Sequence, residues 1–290
     1  MTDKSLTDLG FRRIFHRLIF LGIPILFLSM ASFAFSQEKS LSKRVTPKVV
    51  SDSSYSSWTG NFVWRKLPNA AFGVGEKLVF VIRWGPIHAG EAVMEIPDIV
   101  TIHGRKAYRI LSRAATNRTF STFFKVRDRV ESLMDVKGLF SWHFEKHLRE
   151  GKFRADIKEA FDQRHHFVIS RGDTIRVSPY VQDVLSALYF VRTQPLVVGK
   201  PILVDNYADR KVYPLEVRVL KKERIKTKAG VFDCVVIRPI LRSTGIFQQK
   251  GELTVWLTDD RTHTPVLMKS KVVVGSFVAE LKKYTLGSVE

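Results

Sequence analysis

From residue 76 onward, apolar and polar residues alternate with a period of two. In EKLVFVIRW, Leu78, Phe80, Ile82 and Trp84 alternate with Lys77, Val79, Val81 and Arg83. AGEAVMEI sets Ala92, Met94 and Ile96 against Glu91, Val93 and Glu95, and KVRDRVESLM sets Val126, Val130 and Met134 against Arg127, Arg129 and Glu131. YPLEVRVLKK gives Tyr213, Leu215, Val217 and Val219 against Glu216 and Arg218, until Leu220 breaks the rule. ELTVWL, PVLMKSKVVV and SFVAELKKY carry the pattern close to the C-terminus. Successive strand side chains point to opposite faces, so each segment buries one face and wets the other. HGRK, DVKG, SRGD and TKAG are turn sequences between them, and together they predict an antiparallel meander. About a dozen such strands do not stay flat; the expected fold is all-β, curled into a barrel or half-barrel.

One segment keeps a different period. SPYVQDVLSALYFVRTQ places Val184, Leu185, Leu188 and Tyr189 at helical spacing, with Asp183 as a cap and Pro179 just upstream. This predicts one helix over about residues 181–192 packed on the sheet. RTFSTFFK, residues 118–125, is a second short helix or an irregular turn.

SWHFEKHLREGKF resembles a metalloprotease helix but differs in spacing. The zinc pattern H-E-x-x-H needs the glutamate next to the first histidine. Here the order is H-F-E-K-H, and on a helix Glu145 would sit roughly 200° around from His143. The surrounding parity is that of a strand: Trp142, Phe144 and Leu148 on one face, interrupted by Lys146, and His143, Glu145, His147 and Arg149 on the other. Alternate strand side chains are roughly 7 Å apart, too far for His143 and His147 to share one ion unaided. A solvated strand face is expected, with GKFRADIKEAF as its hairpin partner and no metal. His165 and His166 are adjacent and expected on opposite faces of the next strand.

The N-terminus changes the setting. Lys4, Arg12, Arg13 and Arg17 precede an apolar run from Leu18 to Met30, and Ala34-Phe35-Ser36 has the small-x-small form of a cleavage site. This is the layout of a secretory signal peptide over residues 1–36. The alternative is an uncleaved inner-membrane anchor through residues 18–35, just long enough to span. Residues 37–69, rich in Ser and Lys over most of their length, are expected to be a flexible leader, followed by one β-rich domain over 70–287. The expected location is the periplasm. No cysteine stands near the cleavage site for lipid modification, and the single Cys234 permits no internal disulfide, so the core alone must hold the fold. The formal charge is +19 and spread along the chain. For an exported protein this favours anionic lipid, lipopolysaccharide or wall polymer over nucleic acid, with peripheral membrane contact as one consequence; a basic host proteome or simple solubility explains the same charge equally well.

Catalytic signatures are missing from the sequence: no G-x-S-x-G, no P-loop, no dinucleotide glycine fingerprint and no C-x-x-C. Cys234 in VFDCVVIRP is an expected buried thiol, Asp259-Asp260 an expected turn, and Gly90, Gly230 and Gly275 expected strand starts or turns.

GEKLVFVIRWGPIHAGEAVMEI (75–96), QDVLSALYFVR (182–192), TKAGVFDCVVIRP (227–239) and VWLTDDRTHTPV running on to SFVAEL (255–281) occur in this order. Together they resemble the exported bacterial family known as domain of unknown function 3108, over roughly residues 70–287. The resemblance implies an envelope protein of β-rich fold and supplies no catalytic residues.

The favoured function is a non-enzymatic binder of a hydrophobic or acyl-chain ligand, held against the helix by Leu185, Leu188, Tyr189 and Arg192, with no cofactor and no metal. One alternative is an assembly factor binding a partner protein. Another is an enzyme acting on wall or lipopolysaccharide polymer, using Arg192, Asp183 and His143. The cleavage-site reading predicts that N-terminal sequencing of the exported protein begins at Gln37. A chain retained at full length in the inner membrane would contradict it.

Overall fold

The computed structural model describes residues 63–241, 252–271 and 275–289. The expected signal peptide and the alternative anchor lie outside the described residues. Fourteen strands form one antiparallel sheet. In chain order the first eight are β1 (Lys77–Trp84), β2 (Ile87–Ile102), β3 (Arg105–Thr116), β4 (Arg127–Asp135), β5 (Ser141–Glu150), β6 (Phe153–Asp162), β7 (Phe167–Ser170) and β8 (Asp173–Arg176). The remaining six are β9 (Ile202–Ala208), β10 (Lys211–Thr227), β11 (Gly230–Leu241), β12 (Glu252–Thr258), β13 (Pro265–Lys271) and β14 (Ser276–Thr285). Among the described residues two helices interrupt them: the single turn α1 (Arg118–Ser121) and α2 (Val184–Arg192).

Every strand pairs with its sequence neighbour except β8 with β9, and β1 pairs with β14. The chain therefore meets itself, and the sheet is an open barrel with one seam between β8 and β9. The connection carrying α2 fills that seam. Gln182 pairs in parallel with Asn206 of β9: its amide donates to Asp205 O at 2.9 Å, and Tyr207 N donates to Gln182 O at 2.8 Å. Across the same seam Phe161 and Tyr207 stack edge to face at 5.8 Å.

The strand alternation holds in detail. Leu78, Phe80, Met94, Ile96, Ile110, Val130, Met134, Leu257, Met268 and Leu281 all point into one core. Leu220, the residue out of pattern, falls at a register shift between Val219 and Lys221 and is exposed; an extra bulge residue does this to the parity. A second bulge corrects the expectation for Trp142. The register moves between Leu133 and Met134, whose partners are His143 and Ser141. Trp142 is left over and turns outward. There it packs on Ala107, Phe140 and Trp64, and its indole N–H donates to Asp135 at 3.1 Å.

The packed chain begins inside the stretch expected to be a leader. Trp64 stacks on Phe140 at 5.4 Å, Arg65 donates to the carbonyls of Gly138 and Leu139, and Leu67 N donates to Lys137 O. Trp64 thus lies against the barrel's outer wall, and from Leu67 the chain already packs on the main core. His165 and His166 sit in the turn after β6 rather than on a strand, and His165 reaches Asp162 at 2.8 Å. Gly90 lies within β2 rather than at a turn. A Cβ there would come 2.1 Å from Ala115 O, so the strand contact itself requires glycine.

Helix α2 starts at Val184, with residues 181–182 extended. Asp183 caps it as expected: its carboxylate accepts from Leu185 N at 2.8 Å and Ser186 N at 2.9 Å, and Ser186 Oγ accepts from Asp183 N in return. The other carboxylate oxygen accepts Ser132 Oγ and Ser141 Oγ, both at 2.6 Å. At the far end Arg192 grips Glu76 with two bonds, 2.8 and 2.7 Å, both side chains fully buried. It also donates to Ala71 O and Thr262 O. The guanidinium lies over Tyr189 and Phe72.

Removing one member of a buried pair strands the other charge and costs about 3–5 kcal/mol. Glu76→Gln is predicted to lower the unfolding free energy by about that much, measured by denaturant titration. The double change Glu76→Leu with Arg192→Met should cost less than Glu76→Gln alone.

Candidate functional site

The residues expected to hold a ligand are core residues. Leu185, Tyr189 and Arg192 are almost fully buried, and Leu188 is half-buried against the same core. Burial and the neighbouring Glu76 carboxylate push the Tyr189 hydroxyl well above its ordinary range. Desolvation alone would lower Arg192; the charge and hydrogen bonds of Glu76 more than offset it and hold the guanidinium above its usual value. At this end of the barrel these side chains pack in the main core.

Nor are the three residues of the enzyme alternative brought together. Asp183 and Arg192 stand at opposite ends of α2, and His143 is on the outer face of β5. There the H-F-E-K-H stretch is a strand, as its parity predicts. His147 bonds Glu145 through Nε2 at 2.6 Å and Asp156 through Nδ1 at 2.5 Å, and His143 approaches Glu145 at 3.5 Å. Among the described residues no group of histidine, cysteine and carboxylate has metal-binding geometry. Cys234 is buried, and desolvation raises its thiol to about 12, which removes it as a nucleophile.

The seam side of the interior is polar. Inward positions of β4 to β7 carry Asp128, Ser132, Lys146, Glu159 and Ser170, all buried. Lys146 reaches across the seam to Asp209 at 3.4 Å. Asp209 and Arg210 form the two-residue turn from β9 to β10, with φ of 47° and 67°. Such a turn normally calls on glycine or asparagine. Here both residues are tied down, Asp209 to Lys146 and Arg210 to Asp173 of β8, which is how a strained backbone persists. Desolvation raises Glu159 to about 7, against the pull of Lys146. Asp128 and Glu150 share a hydrogen bond, and burial raises both; the pair keeps a proton that two exposed carboxylates would lose. Lys146 and Glu159 are only 3 % and 4 % exposed, so this cluster is closed to a polymeric substrate.

The barrel end opposite α2 carries an apolar pocket of about 30 Å³. Ile82, Ala89, Ala114, Phe120, Phe124 and Phe277 line it. The connection from β3 to β4 forms its cover. Asn117 caps α1 by accepting Phe120 N at 2.7 Å, and the turn drops Phe120 into the interior. Contacts at its margins hold the cover, among them Asn117 N to Ala89 O at 2.9 Å, Gly151 N to Lys125 O at 2.8 Å, and the Phe124 ring against Gly151. The run RTFSTFFK marked this segment as a short helix or turn, but its place over the barrel mouth depends on strand order.

A family model described as a protein of unknown function, domain of unknown function 3108, matches residues 79–282. Among solved structures, a beta-barrel-like protein from Brucella abortus, of domain of unknown function 1849, aligns over 76 % of this chain and all of its own. The TM-score is 0.53 at 12 % identity, a likeness of fold. A hypothetical protein from Chlamydia trachomatis aligns over 75 % of this chain and 89 % of its own, at 5 % identity and a TM-score of 0.34. No curated protein matches the chain.

The raised Glu159 gives a signed pH dependence. Its folded value of about 7 exceeds the ordinary 4.5, so between those values the folded state binds more protons. The stability it contributes is present in full below pH 4.5 and lost as pH rises through 7. Glu159→Gln, neutral throughout, should not show this loss, so relative to wild type it should gain on the order of 3 kcal/mol as pH rises through 7. The check is the difference in unfolding free energy between wild type and variant across that range; a constant difference would contradict the assignment.

Proposed function

Since the chain belongs to the domain of unknown function 3108 family, which brings no assigned activity with it, we propose from its geometry a non-enzymatic envelope protein that takes an apolar group of its ligand into the pocket under α1. The observation that carries this reading is the contrast between the two ends. The α2 end carries packed core side chains and the buried Arg192–Glu76 pair. The α1 end keeps an apolar pocket beneath a cover of one helical turn. A volume of about 10–15 Å³ suffices for one water, so the pocket accepts the tip of a hydrocarbon chain or a small branched group rather than a whole acyl chain. Its apolar lining gives water few partners, and an apolar group would displace little. Export and an envelope location rest on the charged, apolar and small-residue segments of residues 1–36.

This moves the ligand away from α2, where Leu185, Leu188, Tyr189 and Arg192 hold the fold. The two places separate experimentally. Ala114→Val narrows the pocket and should weaken binding of a fluorescent fatty acid at least about tenfold, with the unfolding midpoint little changed. Leu188→Ala should cost stability, up to about 2–5 kcal/mol for a buried leucine and less for this half-buried one, and leave binding intact. If the wild type binds no apolar probe, the reading fails and the partner-binding role takes its place.

A further inference from the structure

The α1 end also presents an outer surface. Phe123 is 58 % exposed, Phe153 41 % and Ile87 47 %. They stand at the tips of three connections: β3 to β4, β5 to β6, and the start of β2 after the first hairpin turn. The connections are joined to one another. Asn117 Nδ2 donates to His88 O at 2.6 Å, Asn117 N donates to Ala89 O, and Gly151 N donates to Lys125 O. The three apolar tips therefore belong to one rim.

That rim is basic. NRTFSTFFKVR, residues 117–127, and GKFRA, residues 151–155, contain five bases and no acid. Arg118, Lys125, Arg127, Lys152 and Arg154 are all exposed. The nearest inward acids, Asp128 and Glu150, are the pair that burial keeps partly protonated. Aromatic tips between lysines and arginines are the composition of a surface that lies in a bilayer interface: the rings enter the acyl boundary while the bases meet phosphate.

We propose that the α1 end is a docking face for an anionic phospholipid bilayer, with Phe123, Phe153 and Ile87 inserted and Arg118, Lys125, Arg127, Lys152 and Arg154 on the headgroups. It takes from the reading above only the envelope setting. The pocket under α1 would then open toward the membrane, but docking does not require the pocket to be filled.

The test uses the full chain, in the form cells export, with vesicles of phosphatidylglycerol and phosphatidylethanolamine against vesicles of phosphatidylcholine alone. Wild type should sediment with the anionic vesicles at least about tenfold more strongly, and salt should weaken the binding. Lys125→Glu with Lys152→Glu should reduce it about tenfold or more, with an unchanged thermal transition. Lys66→Glu with Lys137→Glu, both exposed beside the β4–β5 turn at the opposite end of the barrel, should leave it unchanged. Phe123→Trp should be quenched by brominated acyl chains, a local readout that an N-terminal apolar segment cannot supply. Equal binding to both vesicle types, equal losses from the two double variants, or an unquenched Trp at this position would each overturn the proposal. An Ala114→Val protein that docks normally but no longer binds the fatty acid would separate docking from the pocket.

Discussion

The Arg192–Glu76 pair sets the shape of everything around it. Both side chains are fully buried, so any arrangement that parts them leaves a charge without solvent or partner. Its value lies less in net stability, since burying two charges costs nearly what their attraction returns, than in the alternatives it penalises. Glu76 immediately precedes β1, and Arg192 ends α2. Their contact fixes where the helix sits relative to the strand that closes the chain on β14. Asp183, at the other end of the same helix, accepts four hydrogen bonds, two from β4 and β5 hydroxyls and two from its own helix. A helix pinned at both ends by buried charge has little freedom to swing aside for a ligand.

That constraint makes the two barrel ends unlike. The α2 end is covered by a nine-residue helix and by Ala71 and Phe72, which pack in the core beside it. The α1 end is covered by one turn, held mainly by backbone bonds at its margins. Between them runs the seam, where sheet pairing stops and charge takes over: Lys146 to Asp209, Arg210 to Asp173. The polar groups that line the interior on this side bond one another and nearby side chains: Ser132 to Asp183, Ser170 to Glu159 and Lys146 to Asp209. The raised Glu159 and the proton shared by Asp128 and Glu150 follow from placing so many carboxyls in one poorly solvated region.

Much of this was legible before the structure. The period-two segments, the helix with its Asp183 cap, the β5–β6 hairpin and the break at Leu220 were all readable, because local alternation and capping chemistry decide them. The polar seam was half legible. Lys146 interrupts an otherwise apolar strand face, and Asp128, Ser132 and Glu159 fall at the same inward parity. One such residue reads as an accident; that they converge depends on β4, β5 and β6 being neighbours and on β9 returning opposite them. The bulge at Trp142 was not legible, since nothing in SWHFEKH distinguishes an extra residue from a continuous strand. Nor was the partnership of Arg192 with a residue 116 positions away. The helix stripe was legible from its spacing; its burial in the main core depends on strands far away in sequence. The mouth pocket was beyond reach for a similar reason: it is a gap between Ile82, Ala114 and Phe277, which no local pattern connects.

The central claim is that the α2 end is locked and the α1 end opens. Native-state amide hydrogen exchange measures this directly, because it reports the opening free energy of each segment separately. The amides of residues 187–192 should exchange only through global unfolding, at the rate of the best-protected strands. Those of residues 118–126 should exchange through a local opening that leaves β3 and β4 protected. If the two segments exchange with the same protection, or α2 opens more readily than α1, the account of a locked end and a working end is wrong.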